Sequence, residues 1–458
     1  MHPSRTAGGA VSEAGISEKY TRAVAEITAR RVETDIDPST ERISALMDLL
    51  GDPQRNYRVI HITGTNGKTS TARIIDALLR ERHLRVGRYT SPHLQTMRER
   101  VVLDGEAISQ ERFVEAYEDI RPYVEMVDAS HEIPMSFFEV LTGLAYALFA
   151  DTPVDVAVVE VGMGGTWDAT NVVDADVAVV TPIALDHADF LPDTVEGIAE
   201  EKAGIIKPDS VAVLAQQPLE AAEVLMRHVS ETGARVAREG LEFGVAQRAV
   251  AVGGQQFSLK GLRGGYEGLF LPMFGPHQAG NAAVAVAAVE AFAGPGEGDE
   301  RLDPELVSEA LAGVEAPGRM EIVRTTPTVL IDAGHNPAGM SAVVEAVQEE
   351  FSFARLIGLL AIMGDKDVEG ILEPLEPLVT EIVVTRNSSE RSLTAQQLYD
   401  IAEPIFGSDR VHVAERLDDA IDAAVGLAES DGEPSGAGVL ITGSVVTAGD
   451  ARLLIKGE

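Results

Sequence analysis

Short β-branched runs alternate with longer amphipathic stretches, and this predicts an α/β chain of two units, each a mostly parallel sheet covered by helices. Three observations carry the prediction. The runs are apolar almost without a break, as strands buried on both faces are. The stretches between them have the apolar spacing of covering helices. The alternation also stops at one turn-rich segment and then begins again.

In chain order, strands of the first unit are expected at "RVIHIT" (Arg58–Thr63), "RVGRYT" (Arg85–Thr90), "VDVAVVEVG" (Val154–Gly162), "ADVAVVTPI" (Ala175–Ile183) and "SVAVLA" (Ser210–Ala215). "TARIIDALLRER" and "FFEVLTGLAYALFA" read as helices between them. Gly240 to Pro272 is glycine-rich and more β-like, which suggests a small antiparallel excursion or loop. The turn-rich segment is "AFAGPGEGDERLDPE" (Ala291–Glu305); a helix is expected after it, and "EAPGRMEIV" opens the second unit. There "TVLIDAG", "RLIGLLAIMG", "EIVVTR", "RVHVAE" and "GVLITGS" resume the alternation. The expected division is 1–36 as a flexible tail with a leading helix, 37–316 as the first unit, and 317–458 as a smaller Rossmann-like α/β unit. At about 140 residues that last piece is long enough for a domain.

With 458 residues and 45% apolar content, the chain can build two or three cores. No run of about 18 or more apolar residues lacks charge, so no transmembrane helix is expected. The opening "MHPSRTAGGAVSEAGISEKY" lacks the apolar region of a secretory signal and reads as a flexible tail. Cysteine is absent, which removes disulfides, thiolate metal sites and a cysteine nucleophile together. A cytoplasmic enzyme suits these features. Against 37 basic side chains stand 73 acidic ones, a net charge of −36, so a broad basic face for nucleic acid is not expected.

Between the first strand and the helix after it lies "GTNGKT". A Walker A loop would need glycine at position 62, where this chain has Ile62. The context is still that of a phosphate loop. Gly64 and Gly67 let backbone N–H groups approach phosphate oxygens, and the helix N-terminus, Lys68 and the Thr69 hydroxyl add charge and a magnesium or phosphate contact. An ordinary glycine-rich turn has no need of the Lys-Thr pair, so nucleotide binding is the reading. Such a loop alone does not choose among GTPase, kinase and ligase.

"VVEVGMGGTWDATN" (Val158–Asn171) ends a strand with Glu160, and "TPIALDHADFL" (Thr181–Leu191) ends the next with Asp186 and His187. These two strands are expected side by side, bringing Glu160 and His187 to the loop's edge of the sheet. There they would hold a divalent cation beside the phosphates. Lys202 in "AEEKAGIIKP" reads from its own residues only as a solvated helix lysine. In the second unit "VLIDAGHNP" ends a strand with Asp332, His335 and Asn336, and "APGRME" places Arg319 just past the boundary. An arginine there suits phosphates held between the units; a plain turn after a strand is the alternative.

Together "GTNGKT", "TSPHL" (Thr90–Leu94), "FFEVLTGLA" (Phe137–Ala145), "EVGMGGTWDATN", "LDH", "EKAGIIK", "HQAGNAAVA" (His277–Ala285), "PGRME" and "DAGHNP" resemble the folylpolyglutamate synthase/dihydrofolate synthase family of the Mur ligase superfamily, from about Asp37 onward. The resemblance implies an ATP-binding P-loop unit followed by a ligase unit. It implies that Gly64, Thr65, Asn66, Gly67, Lys68 and Thr69 hold ATP phosphates, with Asn281, Arg319 and Asp332 contacting the nucleotide from across the cleft. Ser91, Glu160 and His187 would hold magnesium, two ions in all. Lys202 matches the lysine that becomes a carbamate in this family, which turns a dull cation into a metal-binding anion. Phe137, Phe138, Glu139, Trp167, Asp168 and Ala169 match segments that contact the pterin.

The same resemblance implies the chemistry. ATP phosphorylates a carboxylate of dihydropteroate or a reduced folate, and the amine of L-glutamate displaces phosphate, with Lys68, His187 and Lys202 as the catalytic set. The implied partners are small molecules, with no nucleic acid and no membrane, and the implied state is a monomer. A peptidoglycan-type ligase shares the loop and the chemistry, and a non-catalytic nucleotide switch shares the loop. Three departures stand out. Thr69 replaces the family's usual glycine, Thr166 replaces an arginine near the pterin pocket, and "DAGHNP" permutes the commoner D-G-A-H-N-P.

Overall fold

The computed structural model describes residues 13–31, 37–186, 190–294, 301–430 and 436–457. Its first sheet has eight strands: β1 (Arg58–Thr63), β2 (Val86–Tyr89), β3 (Val101–Leu103), β4 (Glu106–Ala107), β5 (Val156–Glu160), β6 (Val177–Val180), β7 (Val211–Leu214) and β8 (Arg235–Arg238). In space they run β4-β3-β2-β5-β1-β6-β7-β8, all parallel from β2 to β8. The five expected strands are β1, β2, β5, β6 and β7, each fully or almost fully buried.

Before this sheet come α1 (Glu13–Thr28) and α2 (Glu41–Leu50), and β1 runs into α3 (Lys68–Glu81). Residues 13–20, expected to be tail, instead begin α1, whose Ala23 and Ile27 are buried against α4 (Gln110–Ser130) and α5 (Phe137–Asp151). An amphipathic helix with an apolar face to bury does not stay a tail. Helices α1, α2, α4 and α5 cover one face near β1 and β5, and α6 (Val195–Ala203) and α7 (Leu219–Thr232) extend that cover over β6 and β7. On the opposite face α8 (Pro276–Ala293) and α9 (Pro304–Ala312) join α3. Both faces are dry, so alternate residues such as Val156/Val158 and Ala157/Val159 enter different cores. That is why the strands read as unbroken apolar runs.

The glycine-rich excursion is a three-stranded antiparallel sheet: β9 (Gly244–Ala251), β10 (Gly254–Lys260) and β11 (Gly265–Leu271). The remaining strands are β12 (Glu321–Thr325), β13 (Thr328–Ile331), β14 (Arg355–Leu360), β15 (Glu381–Val384), β16 (Val411–Val413) and β17 (Ala437–Thr442). They form a six-stranded sheet in the order β12-β13-β17-β14-β15-β16. One face carries α10 (Pro337–Glu350), α11 (Val368–Leu372) and α12 (Ala395–Phe406), and the other carries α13 (Leu417–Glu429) and α14 (Val445–Lys456). No helix among the described residues is long and apolar enough to cross a membrane.

The expected strand neighbours also need correction. β5 and β6 are not neighbours, because β1 lies between them and pairs with both, Ile62 opposite Glu160 and Thr63 opposite Val180. Parallel strands are joined by crossovers, so order along the chain does not set order in the sheet. The result favours a site. β1 sits where the strand order reverses, and open α/β sheets leave a crevice at the carboxyl ends there.

Candidate active site

β1 ends in the loop Gly64–Gly67, and α3 begins at Lys68. Gly67 caps α3 at φ +85, and a Cβ there would lie 2.5 Å from Asn281 Oδ1. Gly64 (φ +139) would drive a Cβ into Thr181 Oγ1 at 1.9 Å. The loop is anchored to the end of β6: Thr65 N donates to Pro182 O at 3.0 Å, and the Thr65 hydroxyl donates to Ala184 O at 2.9 Å. Lys68 Nζ reaches back to the carbonyls of Gly64 and Thr65, each at 3.1 Å. Burial lowers its ammonium, and Glu160 and Asp186 pull it back up.

Glu160 closes β5 and is 1% exposed. The Thr69 hydroxyl donates to its carboxylate, 3.0 Å from each oxygen, and the Ser91 backbone N–H also points to it. Burial raises the carboxyl, with Lys68 and Thr69 opposing. Lys202 ends α6 and is 4% exposed. The turn after β5 packs directly on it, since a Cβ at Gly165 would come 3.0 Å from Lys202 Cα. Burial first, and then the Lys68 charge, lower the Lys202 ammonium to about 7. His187 lies outside the described residues.

The far wall comes from the second sheet. Asp332, at the end of β13, accepts from Met320 N at 2.9 Å and Gly334 N at 2.7 Å, which ties down the turn that carries Arg319. Arg319 and Thr69 line one small cavity. Asn336 caps α10 through Gly339 N, and its amide pairs reciprocally with Asn66 of the loop at 3.0 and 3.3 Å. Beside them Lys366 forms a buried ion pair with Asp186 at 2.8 Å, and Asp186 also accepts from Asn336 at 3.1 Å. Asn281, on α8 beside Gly67, bonds Gln278.

A groove of about 370 Å³ opens beside Ser91 and is lined by both units: Phe138, Glu139, Trp167, Asp168 and Ala169 on one side, Lys366, Arg391 and Val445 on the other. Two of its carboxylates already have protein partners. Glu139 takes two bonds from Arg42 Nε (3.0 and 3.2 Å) and one from Ser136 N (2.7 Å). Asp168 takes Met163 N, Thr170 N and the Thr170 hydroxyl, and burial raises it to about 6. Phe137 does not line the groove; its ring is buried under the Arg100 guanidinium.

Family models for the Mur ligase middle domain and the Mur ligase glutamate ligase domain match residues 62–289 and 318–445. The chain is 52% identical over 443 residues to dihydrofolate synthase/folylpolyglutamate synthase of Mycobacterium tuberculosis, covering 92% of this chain and 91% of that protein. The Bacillus subtilis protein of the same description is 33% identical, covering 93% and 97%. This chain belongs to the folylpolyglutamate synthase/dihydrofolate synthase family. Among solved members of the family, the Mycobacterium tuberculosis folylpolyglutamate synthase complexed with ADP superposes with a TM-score of 0.92 at 51% identity, covering 96% of this chain and 99% of that one. The Escherichia coli FolC in complex with DHPP and ADP gives 0.83 at 29% identity, covering 96% and 98%.

Relative to the family's usual loop, Thr69 adds a hydroxyl that falls on Glu160. Thr166 turns its hydroxyl to the carbonyl of Glu201, not to the groove. Sequence reasoning passed over Arg42, Arg100 and Lys366, and it named Asp186 only as the neighbour of His187. Arg42 and Lys366 are lone cations in unremarkable segments; only their buried partners, 97 and 180 residues away, single them out.

Proposed function

We infer that the protein is an ATP-dependent amide ligase that adds L-glutamate to dihydropteroate, to reduced folates, or to both. The observation that carries this is the convergence of Lys68, Thr69 and Glu160, with Lys202 near Lys68, next to Ser91, which itself lines the groove walled by both units. A carboxylate is a poor electrophile because oxide is a poor leaving group. Transfer of the γ-phosphate gives an acyl phosphate, and the glutamate amine then displaces phosphate. Catalysis is mainly positioning and charge neutralisation. Loop N–H groups, Lys68 and the α3 dipole cradle the phosphates. Arg319 and Asn281 contact the nucleotide, and Asp332 holds Arg319's turn in place.

Among the described residues no three acidic or histidine side chains cluster as a metal site. One buried carboxylate with two hydroxyls nearby still suits magnesium, which takes few protein ligands and keeps waters and phosphate oxygens. Glu160, Ser91 and His187 would hold it, with Lys202 joining as a carbamate; an amine that is half neutral near pH 7 can attack carbon dioxide. Bound there, magnesium neutralises phosphate charge. Phe138, Trp167 and Ala169 form the pterin surface, while Glu139 and Asp168 shape it from inside their own hydrogen-bond networks. We place the domain boundary at residues 316/317 and read the protein as a cytoplasmic monomer.

The test offers ATP, magnesium and glutamate with dihydropteroate, tetrahydrofolate or a UDP-muramyl acceptor, and reads ADP release and product mass. Turnover that neither pterin alters refutes the assignment. Comparing the two pterins under identical conditions tells which activity dominates.

A further inference from the structure

The antiparallel sheet β9–β11 packs on the first unit and reaches across to the second. β10 and β11 bury Phe257, Leu259, Tyr266 and Leu271 in the core that α3, α8 and α9 share. β9 is half-buried or exposed throughout, and Arg248 stands in the middle of it, opposite Phe257. Its guanidinium donates to Glu349 at 2.7 Å and to Glu350, the last two residues of α10 in the second unit. Gln255 steadies the Arg248 Nε at 2.6 Å, and donates in turn to the carbonyls of Met273 (2.8 Å) and Gly275 (3.0 Å). A guanidinium bonded to two carboxylates through separate N–H groups fixes direction as well as distance.

Glu350 is 1% exposed at its side chain and also accepts from the N–H of Gly275, the residue that caps α8, at 3.4 Å. The packing around this cluster is tight. A Cβ at Gly275 would come 2.7 Å from the Cβ of Ala346 on α10, and the Phe274 ring sits 5.0 Å from Phe351. Two helices run from here to the phosphate loop. α8 starts at Pro276 and carries Asn281, whose Oδ1 would lie 2.5 Å from a Cβ at Gly67. α10 ends here, and its other end is capped by Asn336, which exchanges amide bonds with Asn66. At about 1.5 Å per residue, the 14 residues of α10 make a lever about 21 Å long. A small tilt at its foot moves Asn336 far more than it moves Glu350.

We propose that Arg248 is a positioning residue of the reaction: by holding Glu349 and Glu350 at the foot of α10, it sets where Asn336 meets the phosphate loop. The proposal rests on the ligase reading above. With α10 tilted, ATP still enters the Gly64–Gly67 loop, because that loop belongs wholly to the first unit. What is lost is a far wall in register with it, so the phosphate and its acceptor are held in line less often. A misplacement of about 1 Å can cost about 10²-fold in rate.

The test uses the full chain and the acceptor that the parent turns over. Arg248→Met/Glu350→Gln removes the pair without stranding a buried charge, whereas Glu350→Gln alone keeps an acceptor for Arg248 and Gly275. Expected for the double variant is a kcat about 10–10²-fold lower, with the KM for ATP within about threefold and a urea midpoint near the parent's. Glu350→Gln should stay within about threefold of the parent in kcat. The proposal is overturned by a double variant whose kcat is within about threefold of the parent's, by a loss carried by KM alone, or by a Glu350→Gln no better than the double variant. An equal fall in kcat for Leu398→Ala, which weakens the second unit's core from α12, also overturns it, since any loosening of that unit would then suffice. Should the double variant not fold, Arg248→Lys takes its place, with a charge but no fork to hold two carboxylates, and a parental kcat there overturns the proposal. The chain has no cysteine, so spin labels on Leu219→Cys and Leu453→Cys, both exposed, report the separation of the units with an ATP analogue bound, whatever the acceptor. The double variant should widen that distribution by a few ångström, and an unchanged distribution overturns the role of Arg248 even where the ligase reading stands. A parent with no acceptor-dependent turnover fails the ligase reading instead, and the label distances still decide whether Arg248 places α10.

Discussion

Replacing Lys202 by methionine should make the fold more stable while it removes activity. The side chain is 4% exposed at the end of α6, beside Lys68, and these surroundings lower its ammonium from the ordinary 10.5 to about 7. A base with a depressed folded pKa costs stability whenever the unfolded chain would be protonated. The cost is fully present below about 7, shrinks as pH rises, and vanishes above about 10.5. At about 1.4 kcal/mol per tenfold change in acidity, it comes to about 4 kcal/mol at pH 7 and about 2 kcal/mol at pH 9. Methionine fills a similar volume without the charge. Equilibrium urea unfolding of parent and Lys202→Met at the two pH values, in buffers purged of carbon dioxide to keep the amine unmodified, reads both numbers. The reasoning fails if the variant is less stable than the parent at pH 7, or if its advantage does not shrink by pH 9. Added bicarbonate should then narrow the gap for the parent alone, because a carbamate holding a cation no longer carries the ammonium's cost.

Thr69→Val removes a hydroxyl from a buried carboxylate and should cost about 1.5–3 kcal/mol, with Thr69→Ser close to the parent. Glu160 already sits above the ordinary carboxyl range and would rise further, so the deficit should be present at pH 8 and fade as pH falls through its folded value; urea midpoints across that range check it. Arg42→Met strands the carboxylate of Glu139, 5% exposed at its side chain, and should cost about 3–5 kcal/mol, most of it returned by adding Glu139→Gln, as chemical denaturation will show. Lys366→Met takes the cation from Asp186 across the cleft and should weaken ATP binding about tenfold by calorimetry, about 1.4 kcal/mol, whereas Lys366→Arg should not.

Much of the fold could be read from the chain because burial on both faces leaves a strong mark. "VAVV" and "VLIT" runs have no solvent face to encode, and the glycines of "GTNGKT" stand where a side chain would strike Thr181 or Asn281. The weakly marked pieces are β8 and β12, edge strands whose polar residues face water and leave no apolar run. The position of β1 between β5 and β6 left no local trace either, since crossover connections carry no record of which neighbour they reach. For the site, the family resemblance implied that Glu139 and Asp168 would contact the pterin. Yet a carboxylate bound to Arg42, or to three donors of its own loop, has the same sequence signature as one waiting for a substrate.

β17 lies at the middle of the second sheet, between β13 and β14, yet it follows the other five strands of that sheet along the chain. A nascent chain therefore carries the Gly64–Gly67 loop long before it has an opposite wall. At about 5–20 residues per second, the last 140 or so residues take about 7–30 s to emerge. Until then β13 and β14 have no strand to join them. A chain that stops before Ala437 would lack the strand that joins β13 to β14. The order of strands along the chain thus makes the far wall of the groove depend on a strand that follows all its sheet neighbours.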